Sequence, residues 1–117
     1  MGIKYISNLP SPEEIIDKYP LSKELEAKKK ESDREIADVI TGNSKKFLAV
    51  IGPCSADNED SVLDYASRLV KVAEEVKDKI IVIPRVYTNK PRTTGDGYKG
   101  MLHQPDPEKK PNLHEGI

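Results

Sequence analysis

Two short apolar runs, separated by a stretch with helical spacing, form the strongest pattern in the sequence. Phe47–Ile51 is continuously apolar and has the length of a strand, and residues 80–83 form a second, β-branched run. Residues 57–77 repeat apolar side chains at helical intervals, namely Val62, Tyr65, Ala66, Leu69, Val70, Ala73 and Val76. Continuous apolar runs are typical of strands that are buried on both faces. The pattern therefore predicts a βαβ unit with two parallel strands and a right-handed crossover.

The chain before the first strand predicts an extended arm followed by a helix. Ser11 and Pro12 are suited to begin one short helical turn within a proline-rich arm. A longer helix is predicted for residues 22–41, with Ser22 as its N-cap and Gly42 as its stop. The middle of this helix is almost entirely charged, so we interpret it as a solvated face.

These elements divide the chain into two parts. Residues 1–45 hold the arm and helix, and residues 46–117 hold the two strands and a long loop. Residues 88–117 show no clear period, and a loop of this length is usually functional. The last six letters, NLHEGI, predict the start of another helix.

Composition excludes several classes of partner. The net charge is −1, so neither nucleic acid nor an anionic membrane surface is expected as a partner. No apolar run approaches the roughly 18 residues that span a bilayer. The chain has 1 cysteine, which rules out an internal disulfide. With no signal peptide at its start, we expect the protein to be cytoplasmic.

Polar and basic residues follow each predicted strand. Cys54 comes shortly after the first strand, and Arg85 and Lys90 come shortly after the second. The carboxyl ends of neighbouring parallel strands lie at one edge of a sheet, about 4.8 Å apart. We therefore expect these side chains to face one small volume, at the edge where α/β proteins bind ligands.

Two of these residues have alternative interpretations that the sequence leaves open. A lone cysteine is often a small buried apolar residue, whereas a thiolate at a strand end suits a borderline divalent metal. Nearby cations would lower the pKa of the Cys54 thiol. Arg85 is either an edge residue paired with a carboxylate or a binding residue, because burying it would require an anion.

The basic turn after Lys90 is either an exposed turn or an anion cradle, and we favour the cradle. Its candidate residues are Lys90, Pro91, Arg92, Thr93 and Thr94, followed by Gly95, Gly97 and Gly100. Glycines let backbone N–H groups approach a ligand, and arginine can bind phosphate or carboxylate with two nitrogens. His103 and His114 show no ligand spacing and are interpreted as ordinary loop residues.

The motifs IGPCS and PRVYTNKPRTTGDGYKG resemble those of the type I 3-deoxy-D-arabino-heptulosonate 7-phosphate (DAHP) synthases. This resemblance implies a TIM (β/α)8 barrel with an N-terminal extension, of which this α/β chain would hold the extension and the first βαβ unit. It also implies the condensation of phosphoenolpyruvate with erythrose 4-phosphate, the first step of the shikimate pathway. The related octulosonate synthases have KANRS where this chain has KPRTT, which favours the four-carbon sugar.

The resemblance also implies roles for individual residues. Cys54 would ligate a divalent metal (Mn, Fe, Co or Zn), with the remaining ligands outside this chain. Arg85 and Lys90 would be catalytic and would hold phosphoenolpyruvate, with Lys90 taking part in proton transfer. The erythrose 4-phosphate site would be lined by Pro91, Arg92, Thr93 and Thr94.

The resemblance further implies an aromatic amino-acid inhibitor and a homo-oligomer. A full barrel takes roughly 250 residues, so we expect these 117 residues to be inactive alone. The alternative is a non-catalytic assembly or regulatory fragment of the same enzyme that docks through its apolar arm. A third interpretation, a generic phosphate-binding α/β fragment, follows from the residues alone and does not depend on resemblance to a family.

Overall fold

The computed structural model describes residues 2–117, which form four helices and one two-stranded sheet. In chain order the elements are α1 (Pro12–Lys18), α2 (Lys23–Ile40), β1 (Phe47–Ile51), α3 (Glu59–Val76), β2 (Ile80–Pro84) and α4 (Leu113–Gly116). No helix in this part of the chain combines the length and the apolar character that crossing a membrane requires.

The predicted βαβ unit is confirmed. β1 and β2 are hydrogen-bonded in parallel, with Phe47 opposite Ile80 and Ile51 opposite Pro84. Pro84 is the last residue of β2, where its missing N–H donor does least harm to the ladder. Because the strands run the same way with no offset, their carboxyl ends lie side by side.

Side-chain caps fix where the helices begin. Ser11 and Glu14 form a reciprocal capping box on α1, and the Ser22 hydroxyl accepts from Leu25 N at the start of α2. Asn58 caps α3 through a 2.8 Å bond from Ser61 N. α1 has 7 residues, about two turns, so the prediction of a single turn was too short. The predicted start of a helix at NLHEGI is confirmed as α4.

The expectation that β1 is buried on both faces is wrong for this chain. Phe47 is 74% exposed and Val50 is 64% exposed. Ala56, at 1%, is the single buried hydrophobic residue within residues 2–117. In the described sheet β1 has one neighbouring strand, and the apolar stripe of α3 is only half-buried, with Val70 exposed. The apolar sequence of β1 therefore predicts the strand correctly but not its burial.

The described chain is elongated. Its radius of gyration is 17.9 Å, whereas a compact domain of this length has about 13 Å. The arm before α1 contributes to this, since Ile3 and Ile6 are 99% and 92% exposed. Two free sheet edges and a largely exposed apolar surface are features that favour association with other polypeptide.

We therefore expect the 117-residue chain to self-associate in solution. Val50→Lys places a charge on the exposed face of β1 and should lower the associated fraction, because charges discourage strand and face pairing. Glu31→Lys, on the solvated face of α2, is the matched control. Light scattering coupled to size exclusion measures the mass, and a concentration-independent monomer would contradict this prediction.

Candidate active site

Backbone hydrogen bonds join the segments that leave the two strands. Arg85 N donates to Ile51 O over 2.9 Å, and Ala56 N donates to Tyr87 O over 2.9 Å. Gly52 lies so close to Arg85 that a Cβ at position 52 would overlap the Arg85 carbonyl oxygen. The turn after β1 and the loop after β2 thus form one continuous rim, as the parallel topology predicts.

The rim brings Cys54 and Lys90 into direct contact. Lys90 Nζ donates to Cys54 Sγ over 2.7 Å, although 36 positions separate the two residues in sequence. The hydrogen bond and positive charge of Lys90 lower the pKa of the exposed Cys54 thiol, with smaller contributions from Arg85 and Arg92. The sulfur is therefore biased toward thiolate, the form that binds metals and attacks electrophiles.

Arg85 lies on the same rim. Its Nη1 donates to Pro53 O over 3.3 Å, and its guanidinium sits 4.1 Å from the centre of the Tyr87 ring. Among the ion pairs of residues 2–117, none involves Arg85, so the carboxylate-paired alternative is not observed there. An arginine held by a carbonyl and an aromatic face keeps its charge available to an anion.

Hydrogen bonds within the basic turn order its backbone. Lys90 N donates to Lys99 O over 2.8 Å, and Arg92 Nε donates to Tyr98 O over 2.8 Å. Pro91, Thr93 and Thr94 are exposed on this loop. Of the other predicted site residues, Lys90 contacts Cys54, and the positive charges of Arg85 and Arg92 lower the pKa of its thiol. Cys54 and the three cations that lower its pKa are thus four of the seven predicted residues, and the other three are exposed on the same loop as Arg92.

The contacts of three side chains near the site were not predicted from the sequence. Tyr87 lies beneath Arg85, and His103 Nε2 lies 3.0 Å from Asn89 Oδ1, beside Lys90. Tyr98 Oη lies 2.9 Å from Gln104 O and 3.2 Å from Asp57 O. Burial, and secondarily the charge of Asp57, raise the pKa of Tyr98, which keeps the phenol a donor. An aromatic residue after a glycine turn was the only sequence signal for Tyr98.

The donors present fit a metal only in part. An exposed thiolate at a strand end is a suitable ligand for a borderline divalent cation. Across residues 2–117, however, no three His, Cys, Asp or Glu side chains come together in a way that could hold an ion. Cys54 therefore offers a single donor, and a complete metal site would need donors from elsewhere.

The lowered pKa of Cys54 has a measurable consequence. Thiolate reacts with iodoacetamide, so a lowered pKa moves the rise in alkylation rate to lower pH. Lys90→Met removes the largest cause and should move the profile to higher pH, slowing alkylation at neutral pH. Lys77→Met, at the end of α3 where Lys77 pairs with Glu74, is the control. The rates follow from mass spectrometry, and coincident profiles for wild type and Lys90→Met would contradict the contact.

Comparison with known proteins identifies the class that this fold and site define. A sequence model described as the DAHP synthetase I family matches residues 19–117. The chain belongs to the DAHP synthetase I family, which confirms the resemblance carried by its two motifs.

Individual relatives show how much of a longer protein the match covers. The chain is 40% identical over 97 residues to the Tyr-sensitive phospho-2-dehydro-3-deoxyheptonate aldolase of Escherichia coli K12, covering 83% of this chain and 27% of that protein. It is 35% identical to the phospho-2-dehydro-3-deoxyheptonate aldolase of Haemophilus influenzae, covering 98% of this chain and 32% of the relative. The chain spans about a third of the length of the curated relatives it matches.

A solved structure gives the same result for the fold. The phospho-2-dehydro-3-deoxyheptonate aldolase of Francisella tularensis SCHU S4 superimposes with a TM-score of 0.87 at 34% identity. The match covers 98% of this chain and 33% of that chain. The described α/β unit with its parallel sheet is therefore similar to one part of a larger enzyme structure.

Proposed function

We propose that this chain is part of a DAHP synthase, a transferase that condenses phosphoenolpyruvate with erythrose 4-phosphate in the first step of the shikimate pathway to aromatic amino acids. Membership of the DAHP synthetase I family supports the proposal. The observation that carries it is the cluster at the strand ends, where Lys90 Nζ contacts Cys54 Sγ and Arg85 and Arg92 add positive charge.

The positively charged side chains have a defined role in this reaction. Both substrates are anions that repel each other, so fixed positive charges must neutralise them and hold them in a reactive geometry. Arg85 and Lys90 bind phosphoenolpyruvate in this proposal, and Pro91, Arg92, Thr93 and Thr94 line the erythrose 4-phosphate site. The guanidinium of Arg85 is suited to a carboxylate or phosphate because it can donate two parallel hydrogen bonds.

The bond changes define where a proton donor is needed. C3 of phosphoenolpyruvate attacks the aldehyde carbon of the sugar, water adds at C2, and inorganic phosphate leaves as the C2 ketone forms. The aldehyde oxygen becomes a hydroxyl, which requires one proton. Lys90 Nζ carries protons at the rim and is the group that we assign to this transfer.

The metal role falls to Cys54. Its thiolate would hold a divalent cation (Mn, Fe, Co or Zn), together with ligands from outside residues 2–117. When bound, such a cation polarises the aldehyde oxygen of the sugar. Lys90 would therefore act on the substrates and also on Cys54, because its ammonium contacts the sulfur and stabilises the thiolate form.

The proposed whole protein is a TIM barrel. Residues 1–45 form an extension, and residues 46–117 supply the first two of eight strands. In this proposal the 117 residues alone are inactive, because they present one metal ligand and part of the substrate cradle. The cytoplasmic location expected from the sequence belongs to the same proposal.

Two preparations test the function. The first is the 117-residue chain alone, and the second is a chimera in which this chain replaces the matching third of the Francisella tularensis protein, here called the Francisella chimera. Loss of phosphoenolpyruvate is followed with erythrose 4-phosphate and manganese, with the unmodified Francisella protein as positive control. We expect turnover by the chimera only. Turnover by the chain alone would contradict its inactivity, and a folded but inactive chimera would contradict the function.

An assembly or regulatory role is the second candidate, and the exposed arm favours it. Ile3, Tyr5, Ile6 and Leu9 project into solvent from the described arm. Relatives in Escherichia coli and Saccharomyces cerevisiae are named Tyr-sensitive and phenylalanine-inhibited. We include an aromatic amino-acid inhibitor and a homo-oligomer in the proposal. Deleting residues 2–11 from the chimera distinguishes the roles, because a purely regulatory arm would change inhibition or mass and leave turnover intact.

A further inference from the structure

Tyr98 connects three segments around the basic turn. Its phenol lies within hydrogen-bond distance of Gln104 O, at 2.9 Å, and of Asp57 O, at 3.2 Å. Its own carbonyl oxygen accepts from Arg92 Nε over 2.8 Å. Asp57 belongs to the loop that carries Cys54, so one half-buried side chain links that loop to the basic turn and to the turn after it.

The bond from Nε determines how Arg92 can bind. A guanidinium offers two binding edges, one formed by Nε with a terminal nitrogen and the other by the two terminal nitrogens. Tyr98 O occupies the first edge, and within residues 2–117 the terminal nitrogens of Arg92 make no hydrogen bond. The edge formed by the two terminal nitrogens is therefore the one presented to a ligand.

Gly97 lets the turn close around this guanidinium. Its φ is +90°, a conformation that residues with a side chain rarely adopt, and the position of its missing Cβ is in ordinary van der Waals contact with the guanidinium, 3.6 Å from Arg92 Nε and 3.7 Å from Cζ. The backbone of the turn thus lies along the guanidinium while the carbonyl of Tyr98 fixes its Nε. Arg92 is held on its inner edge by backbone and is free on its outer edge.

We propose that Tyr98 is a positioning residue. Its phenol anchors the turn, which places the Tyr98 backbone carbonyl on Nε of Arg92, so that the two terminal nitrogens of Arg92 together face the phosphate monoester of the sugar substrate. The identity of that oxyanion rests on the proposed function, whereas the holding of Arg92 does not. A guanidinium that is already oriented loses less conformational freedom on binding. Lysine cannot replace it, because an ammonium has no Nε to anchor while two nitrogens bind.

The side-chain Nε–Hε signal of Arg92 in NMR spectra of the 117-residue chain tests the holding directly. We expect this proton to exchange with water about fivefold more slowly than that of Arg34, on the exposed helix α2, because a hydrogen bond protects it. Tyr98→Phe removes the phenol contacts and should abolish most of that protection. Tyr5→Phe removes a hydroxyl from the exposed arm and should change nothing. Equal exchange for Arg92 and Arg34, or protection retained in Tyr98→Phe, would overturn the proposal.

Inorganic phosphate tests the outer edge. We expect phosphate to shift the Arg92 side-chain signals, with an affinity about threefold to tenfold lower in Tyr98→Phe and no specific shift of the residue 92 signals in Arg92→Lys. If Tyr98→Phe acts only by loosening the whole loop, backbone amide exchange should rise along the entire turn, and that outcome would count against a specific effect on Arg92. If the Nε–Hε proton of Arg92 is protected from exchange but the Arg92 signals do not shift when phosphate is added, the binding role is overturned. Because none of these signals depends on turnover, an inactive Francisella chimera would count against the proposed function alone.

Discussion

Replacing Gly52 with alanine is expected to lower the free energy of unfolding by about 3 kcal/mol, a large effect for one methyl group. The added Cβ would overlap the carbonyl oxygen of Arg85, which is backbone and cannot rotate away. Relief would require the two strand ends to separate, breaking the bond from Arg85 N to Ile51 O. The residues that carry the candidate site would separate with them.

Urea unfolding followed by circular dichroism measures this effect in the Francisella chimera. Gly2→Ala is the matched control, because a Cβ at position 2 meets nothing within 4 Å. We expect the control to unfold at the wild-type urea concentration. If Gly52→Ala does the same, the close approach of the strand ends is not a feature of the folded protein.

Lys90→Met in the Francisella chimera is expected to lower turnover about a thousandfold, since it removes a charge and a proton donor together. Methionine keeps the length and flexibility of the side chain but loses the ammonium that contacts Cys54 Sγ over 2.7 Å. The loss should appear mainly in kcat, because the charge that develops on the aldehyde oxygen is greatest in the transition state.

Steady-state kinetics with both substrates separate kcat from KM for this variant. Lys77→Met, at the far end of α3, removes the same group from a surface ion pair and should leave both constants unchanged. A Lys90→Met enzyme that retains wild-type kcat would show that Lys90 does not transfer the proton, and an unchanged KM as well would show that it does not bind the substrates.

The sequence was sufficient for the elements and for the convergence of the main site residues. Apolar runs predicted β1 and β2, and Ser11 and Ser22 predicted helix starts through local side-chain chemistry. The parallel arrangement then followed from the strand–helix–strand order. The parallel arrangement placed Cys54 and Lys90 at one edge of the sheet, because the carboxyl ends of parallel strands lie together. This inference requires no knowledge of side-chain packing.

Burial and the internal order of the long loop were not predictable in the same way. Phe47 is apolar in sequence but 74% exposed, because burial depends on what covers a face rather than on the face itself. The loop after β2 has no period, and its order comes from Tyr98, His103 and the residues that they contact. Such contacts join polar groups distant in sequence, for which no local pattern exists.

Protection of Cys54 by phosphoenolpyruvate is the most direct test of the central claim that thiol and cations share one substrate site. Alkylation of Cys54 in the Francisella chimera is followed by peptide mass spectrometry, with and without phosphoenolpyruvate at concentrations that saturate turnover. We expect bound phosphoenolpyruvate to slow this alkylation, because it occupies the space beside Lys90 and Arg85. An alkylation rate unchanged by saturating phosphoenolpyruvate would contradict the central claim.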